Sequence, residues 1–241
     1  MEFDYMAIWN SRDILIRGVL NTLLISAVAI PAGIVLGIII CFMRISSIRA
    51  LRWTAIAYIE IIRNIPLLIL IFMLFYALPF YGVRLSGLAT GFLCLSMYGG
   101  AYFAEIFRGG IESVSKGQFD ACKALGLKYG FYMRRVILPQ LYSYIFPPGT
   151  NIALTMIKES SLLSMITVAE LTYAAHDING RTFTPVETFA TIAIIYWLIS
   201  TLFLKFSHSL QMRLGAGDTT DAISIRYIAE MQALANGDLI E

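Results

Sequence analysis

Gln118 to Pro139 read Q-F-D-A-C-K-A-L-G-L-K-Y-G-F-Y-M-R-R-V-I-L-P, a polar stretch lying between two apolar ones. A small-residue turn, Asp120-Ala121-Cys122, precedes Gly126, nine residues intervene, and Val136-Ile137-Leu138-Pro139 closes the segment. Gln118 to Leu125 suits a helix of about two turns, with Gly126 placed where a left-handed C-cap belongs. Phe119 and Cys122 fall on one face of that helix, while Lys123 and Lys128 keep its flanks wet. So short a helix is unstable in water alone. It needs a partner or a neighbouring segment to pack against.

The sequence around this stretch belongs in a membrane. Of 241 residues, 58% are hydrophobic and 14% charged, with a mean hydropathy of +0.73. A soluble domain carries about a quarter charged residues, so composition alone selects the membrane class. The formal net charge of +2 gives no reason to expect a nucleic-acid partner; membrane lipid is expected instead. Cys41, Cys94 and Cys122 stand alone, without a C-x-x-C pair or a histidine at ligand spacing, so no metal site is expected. Met1 to Asn10 carries Glu2 and Asp4 but no cation. It lacks the basic start of a signal peptide, and the first span is expected to be retained.

Five segments are long and apolar enough to cross, given that a span needs roughly 20 residues. They are Gly18 to Met43, Trp53 to Pro79, Leu85 to Phe107, Leu141 to Ile157 and Glu187 to Ser207. The fourth is interrupted by Pro147, Pro148 and Gly149. With the N-terminus outside, twelve lysines and arginines lie on the inner side and five on the outer, namely Arg12, Arg17, Arg84, Lys158 and Arg181. That asymmetry satisfies the positive-inside rule and puts the C-terminus in the cytoplasm. Leu162 to Ala175 is apolar but too short to cross, and a sixth crossing would put Lys205 and Arg213 outside. A hairpin or re-entrant segment is expected there, and irregular backbone at that depth is tolerated only inside protein or beside a cavity. The expectation is one all-α membrane domain over residues 1–214, with a polar loop at 109–140, and a separate tail at 215–241. In the tail Asp221 caps a short helix through Ala235, with Ile223, Tyr227, Met231 and Leu234 near one face.

Charges inside the spans mark candidate sites, because a charge at the bilayer centre costs about 2.5–3.5 kcal/mol on insertion scales. Counted along a straight helix from Trp53, Arg63 sits about 15 Å in, near the middle. Glu60 lies three residues earlier on the same face. Two readings stand: a self-neutralised structural pair, or Arg63 facing a solute path, with Pro66 freeing backbone groups nearby. Glu105 and Arg108 repeat the spacing at the inner end of their span, where snorkelling and interfacial pairing explain them. Lys158-Glu159-Ser160-Ser161 follows the proline-broken span and precedes the short apolar one. An amino acid zwitterion needs an acidic partner for its ammonium and a cation or helix end for its carboxylate. Glu159, Ser160, Ser161 and Glu170 are therefore candidate pathway residues. Their structural alternatives are an N-cap at Ser160 or Ser161 and an outer-surface position for Glu170.

The spacing of Asp120-Ala121-Cys122, Gly126 and Val136-Ile137-Leu138-Pro139 resembles the E-A-A-x3-G-x9-I-x-L-P signature of ABC importer permease subunits. Asp120, Cys122 and Val136 depart from it conservatively. Arg63-Asn64-Ile65-Pro66-Leu67-Leu68 and Lys158-Glu159-Ser160-Ser161-Leu162 are similar to elements of the polar amino acid branch, the histidine, glutamine, glutamate and arginine type. So is Val168-Ala169-Glu170-Leu171-Thr172, and the likeness covers about Gly18 to Leu214. It implies a type I ABC importer permease fold in the bacterial inner membrane, with a coupling helix docked on an ATPase subunit. Gly117, Phe119, Asp120, Ala121, Cys122, Leu125, Gly126, Leu138 and Pro139 are the implied coupling residues, and Arg63 and Asn64 join the pathway set. The implied partners are an ATPase dimer, a second permease copy or a paralogue, and an extracytoplasmic amino acid-binding protein. ATP and Mg would belong to the ATPase, with no cofactor on this chain.

No Walker A, G-x-S-x-G or H-E-x-x-H motif occurs, and His176 and His208 are isolated, so the chain is not expected to be an enzyme. The alternative function is a secondary transporter or channel for small polar solutes, with Glu60, Arg63, Glu159 and Glu170 as an ion route. No internal repeat supports it, and a self-powered carrier has no use for an ATPase-docking helix.

Overall fold

In the computed structural model, which describes residues 5–213, every regular element is a helix. The expected tail at 215–241 lies outside the described residues. A short helix α1 (Tyr5–Asn10) leads into α2 (Arg12–Arg44), followed by α3 (Arg49–Asn64) and α4 (Leu67–Phe72). Then come α5 (Gly87–Ser113), α6 (Lys116–Ala124), α7 (Tyr129–Tyr132), α8 (Leu138–Glu159), α9 (Leu171–Thr182) and α10 (Pro185–Arg213). The chain divides into two compact units, Met1–Arg108 with Gly149–Leu204, and Gly109–Pro148 with the stretch from Lys205 on.

Among the described residues α2 and α10 are long and apolar enough to cross a membrane outright. Two bent pairs qualify if each counts as one span: Arg49–Asn64 with Leu67–Tyr81, bent by 107°, and Tyr129–Ile166 with Leu171–Thr182, bent by 47°. The helix α5 is 27 residues long, but its glycines and tyrosines dilute its hydropathy.

Prolines shape the irregularities. The second apolar segment is not one kinked helix, as the sequence suggests, but a broken one. Ile65 precedes Pro66, which forces it out of the helical region to φ −93 and ψ 130. Pro66 then becomes the N-cap of α4. Two π-helical turns, Met73–Ala77 and Met133–Ile137, each end two residues before a proline, Pro79 and Pro139. A proline has no N–H for the carbonyl four residues back and its ring crowds that carbonyl, here Phe75 and Arg135 at the centre of each turn. Widening the turn relieves the clash, and Leu138 N–H duly bonds to the Met133 carbonyl, five residues back. Pro147 and Pro148, expected to interrupt the fourth segment, are instead carried inside α8.

In the larger unit, α2 packs on α5 through small residues. A Cβ on Gly37 would lie 2.5 Å from Phe103 Cβ, and one on Gly33 would lie 3.3 Å from Gly99 Cα. Glycines at this spacing let helix backbones approach closely where no water drives association. The same helix meets α9: a Cβ on Gly18 would lie 3.0 Å from both Ala174 Cβ and Leu171 Cα. A core of Ile25, Ile71, Leu95, Met156, Leu163 and Ile166 joins α2, α4, α5, α8 and the 3-10 helix Ser160–Ile166. The break between Ile166 and Leu171 turns through Thr167 at φ 61, so Leu162 to Ala175 falls in two helical pieces across a 47° bend, a broken span or a re-entrant segment.

Candidate functional site

Three side chains on one face of α5, Tyr98, Tyr102 and Glu105, organise the polar groups of the larger unit. Their i, i+4, i+7 spacing is that of a single helical stripe. The rings of Tyr98 and Tyr102 lie 4.7 Å apart, and the Arg63 guanidinium sits 5.0 Å from the centre of the Tyr102 ring. Tyr98 is within electrostatic reach of both Arg63 and Glu159. Tyr58 Oη donates to the Met97 carbonyl at 2.7 Å and ties α3 to α5 at this level.

Arg63 occupies the C-terminal end of α3, at the 107° corner. The straight-helix count from Trp53 holds within α3, but the helix ends one residue after Arg63 instead of continuing past it. It stacks on Tyr102, and among the described residues no ion pair joins it to Glu60. Both nevertheless line one cavity of about 150 Å³ with Arg44 and Glu105. Glu105 holds Arg108 at 2.8 Å and Arg44 at 3.6 Å, both half-buried, so it links the end of α2 to α5.

The remaining expected pathway residues separate. Asn64 is exposed and donates back to the Glu60 carbonyl at 2.7 Å. Ser160 is fully buried, with Oγ donating to the Ile157 carbonyl at 2.7 Å, and the Ser161 carbonyl accepts from Ser164 Oγ at 2.7 Å. Neither serine acts as an N-cap; Glu159 stands at that position, without a side-chain capping bond.

Glu170 is 0% exposed, neither on the outer surface nor open to a solute in this conformation. Its carboxylate caps α9, accepting from Tyr173 N–H at 2.7 Å, Thr172 N–H at 2.8 Å and Tyr196 Oη at 2.9 Å. Beside it Leu171 N–H donates to Thr22 Oγ1 at 3.2 Å, and Asn21 Nδ2 donates to the Ala169 carbonyl at 2.6 Å. Glu170 thus joins α9 to α10, and the backbone of its neighbours Ala169 and Leu171 ties this node to α2. The tyrosines on α5 escaped sequence reasoning, although the Tyr98/Tyr102 spacing beside a glycine pair was visible.

The smaller unit contains the polar loop. Its helix α6 runs from Lys116 to Ala124, displaced by a residue or two toward the N-terminus from the expected Gln118 to Leu125. Gly126 has φ +68, as a left-handed C-cap requires. Its N–H bonds to the Lys123 carbonyl at 2.9 Å, and Leu127 N–H bonds to the Cys122 carbonyl at 3.1 Å. This pair of bonds is a Schellman motif. Cys122 is buried with Val114, Tyr132 and Ile137, and Phe119 meets the Tyr132 ring edge-on at 6.4 Å. The apolar face of α6 is therefore consumed by the loop's own return segment. Lys116, Gly117, Asp120, Lys123, Ala124, Leu125 and Gly126 are exposed, as are Leu138 and Pro139 where α8 begins. Ala121 lies within α6.

The chain is similar to known proteins over most of its length. The chain is 40% identical over 204 residues to a probable amino-acid ABC transporter permease protein, YckA, of Bacillus subtilis, covering 85% of this chain and 90% of the relative. It is 36% identical over 208 residues to the glutamine transport system permease protein GlnP of Escherichia coli, covering 86% and 94%. The crystal structure of an amino acid ABC transporter with histidines superposes with a TM-score of 0.81 at 33% identity, over 88% of this chain and all of that one. Residues 17–214 match the family described as binding-protein-dependent transport system inner membrane component. The chain belongs to that family and is the membrane permease subunit of an ABC importer.

Proposed function

We propose that this permease carries a polar amino acid inward, and that Arg63 and Glu159 meet the two ends of the zwitterion. The observation behind this is the Arg63 guanidinium held 5.0 Å from the centre of the Tyr102 ring, whose neighbour is Tyr98. Arg63 suits a carboxylate because its planar fork donates two parallel bonds. Glu159 suits an ammonium, and an aromatic face stabilises a cation in a site shielded from water. Asn64, Ser160 and Ser161 flank the two charged groups in sequence and supply backbone dipoles at a helix end and a tight turn. Glu170 is assigned to the scaffold. The kinship with permeases named for glutamine and for amino acids supports the solute class.

Five crossings, counting α5 and each bent pair once, put the N-terminus outside and the C-terminus in the cytoplasm. Power comes from a dimer of ATPase subunits, which hold ATP and Mg; this chain binds no cofactor. A second permease copy or a paralogue completes the path, and an extracytoplasmic binding protein delivers the solute. Force enters through α6, whose exposed Gly117, Asp120 and Leu125 face the ATPase while Phe119 and Cys122 hold the loop together.

Uptake by the reconstituted importer tests the solute assignment. Arg63→Ala and Glu159→Gln are expected to reduce uptake at least tenfold while the complex still assembles with its ATPase. Equal loss of assembly and uptake would make the two residues structural and remove the proposed site.

A further inference from the structure

The start of α2 and the facing side of α9 enclose a cavity of about 280 Å³ lined by Arg17, Gly18, Tyr173, Asp177 and Arg181, among others. Its position is set by the ion pairs at the other end of α2. Arg44 meets Glu105, Glu105 holds Arg108, and Arg108 immediately precedes the segment leading to α6. A helix of 33 residues is about 50 Å long, well beyond the roughly 30 Å of bilayer hydrocarbon. Arg17 therefore lies on the membrane side opposite to the start of that segment.

Two features set this cavity apart. The first is charge. Arg181 is satisfied by Asp177, at 3.0 Å and 2.8 Å. Arg17 is exposed and makes no ion pair among the described residues, which leaves the lining one positive charge in excess. A cation on the outer side runs against the positive-inside bias. The second is Phe183, two residues beyond Arg181 at the turn into α10. Its backbone is left-handed, φ +54, held by a bond from its N–H to the Asn179 carbonyl at 2.9 Å, and its ring is 86% exposed. That conformation is unfavourable for a bulky side chain, and here it presents an aromatic ring to the outside.

We propose that this cavity and Phe183 form the docking surface for the extracytoplasmic binding protein, which seats an acidic side chain against Arg17 and Arg181 and covers the Phe183 ring. The family is defined by dependence on such a protein. An aromatic anchor next to a cationic pocket has the composition of an interface hot spot, with the charge governing encounter. The inference rests on the proposed function, in which that partner delivers the solute to this face.

The test uses the complete importer in lipid nanodiscs. It reads the concentration of purified cognate binding protein that half-maximally stimulates ATP hydrolysis. Arg17→Glu and Phe183→Ala are each expected to raise that concentration about tenfold. The rate without binding protein and the maximal rate at saturation should stay unchanged. Raising salt should weaken stimulation of the wild type more than that of Arg17→Glu. Arg17→Gln, a milder change, is expected to shift the same way by a smaller factor. Unchanged half-maximal concentrations in properly assembled variants would overturn the docking surface. So would a defect that follows the anionic-lipid content of the discs instead of binding-protein concentration, because the cavity would then be a headgroup site. A wild type that no binding protein stimulates would refute the delivery step of the proposed function itself.

Discussion

Gly126 is the residue at which conformation and coupling are most cleanly separable. A Cβ built there meets no atom within 4 Å, so substitution produces no clash within the chain. What it changes is the backbone, because φ +68 costs an ordinary L-residue about 1–2 kcal/mol. Asparagine tolerates this conformation better than alanine, and the β-branched valine tolerates it least. The helix that Gly126 closes has nine residues and little intrinsic stability to spare. A loss of about 1–2 kcal/mol lowers the ratio of closed to open helix by a factor of roughly 5–30. Solute transported per ATP hydrolysed in proteoliposomes should therefore fall in the order glycine, asparagine, alanine, valine. Amide exchange across residues 116–127 should rise in the same order. If asparagine is as damaging as valine, side-chain bulk against the partner is the cause and the capping argument fails. Normal transport by Gly126→Val would remove the loop from coupling altogether.

Glu170→Gln leaves at least one of three buried donors facing an amide NH2, which cannot accept, and this should cost about 1–3 kcal/mol and lower the melting temperature without changing the KM for solute. A changed KM at unchanged stability would return Glu170 to the path. Gly37→Val drives atoms into Phe103 and should destabilise the α2–α5 packing by about 1–3 kcal/mol or more in a detergent melt, whereas Gly117→Val, which meets nothing in the chain, should not. Tyr132→Ala opens the core shared with Cys122 and should cost the loop about 3–5 kcal/mol, making Cys122 reactive to a thiol reagent; an unreactive Cys122 would refute the loop core.

What was legible in the sequence follows from how local each signal is. Apolar runs declare membrane-spanning candidates without any knowledge of packing. Gly126 could be placed because a Schellman cap is written into a few consecutive residues. The corner beside Arg63 was not legible because arithmetic along a straight helix ignores the constraint that Pro66 imposes on Ile65. That constraint turned a kink into a 107° corner. The hydrogen-bonding role of Glu170 was hidden for a different reason. An acidic residue near a membrane segment looks functional until its three donors are located, and one of them, Tyr196, lies 26 residues away on another helix. Such a node is invisible to any local pattern.

The loop shows the same limit and suggests a mechanical consequence. From the residues alone, the face of Phe119 and Cys122 needed a partner or a neighbouring segment, and the family resemblance added both to the coupling set. The structure turns that face onto Tyr132 and Ile137. This is the outcome expected when nine residues must be helical before docking rather than because of it: the apolar face stabilises the helix, and only the polar face with Leu125 is left to bind. A helix that folded on docking would spend binding energy on its own ordering and would yield under load. One braced by its own core presents a fixed surface. Movement of the ATPase subunits then displaces the whole loop instead of deforming it, as transmission of force into the membrane segments requires.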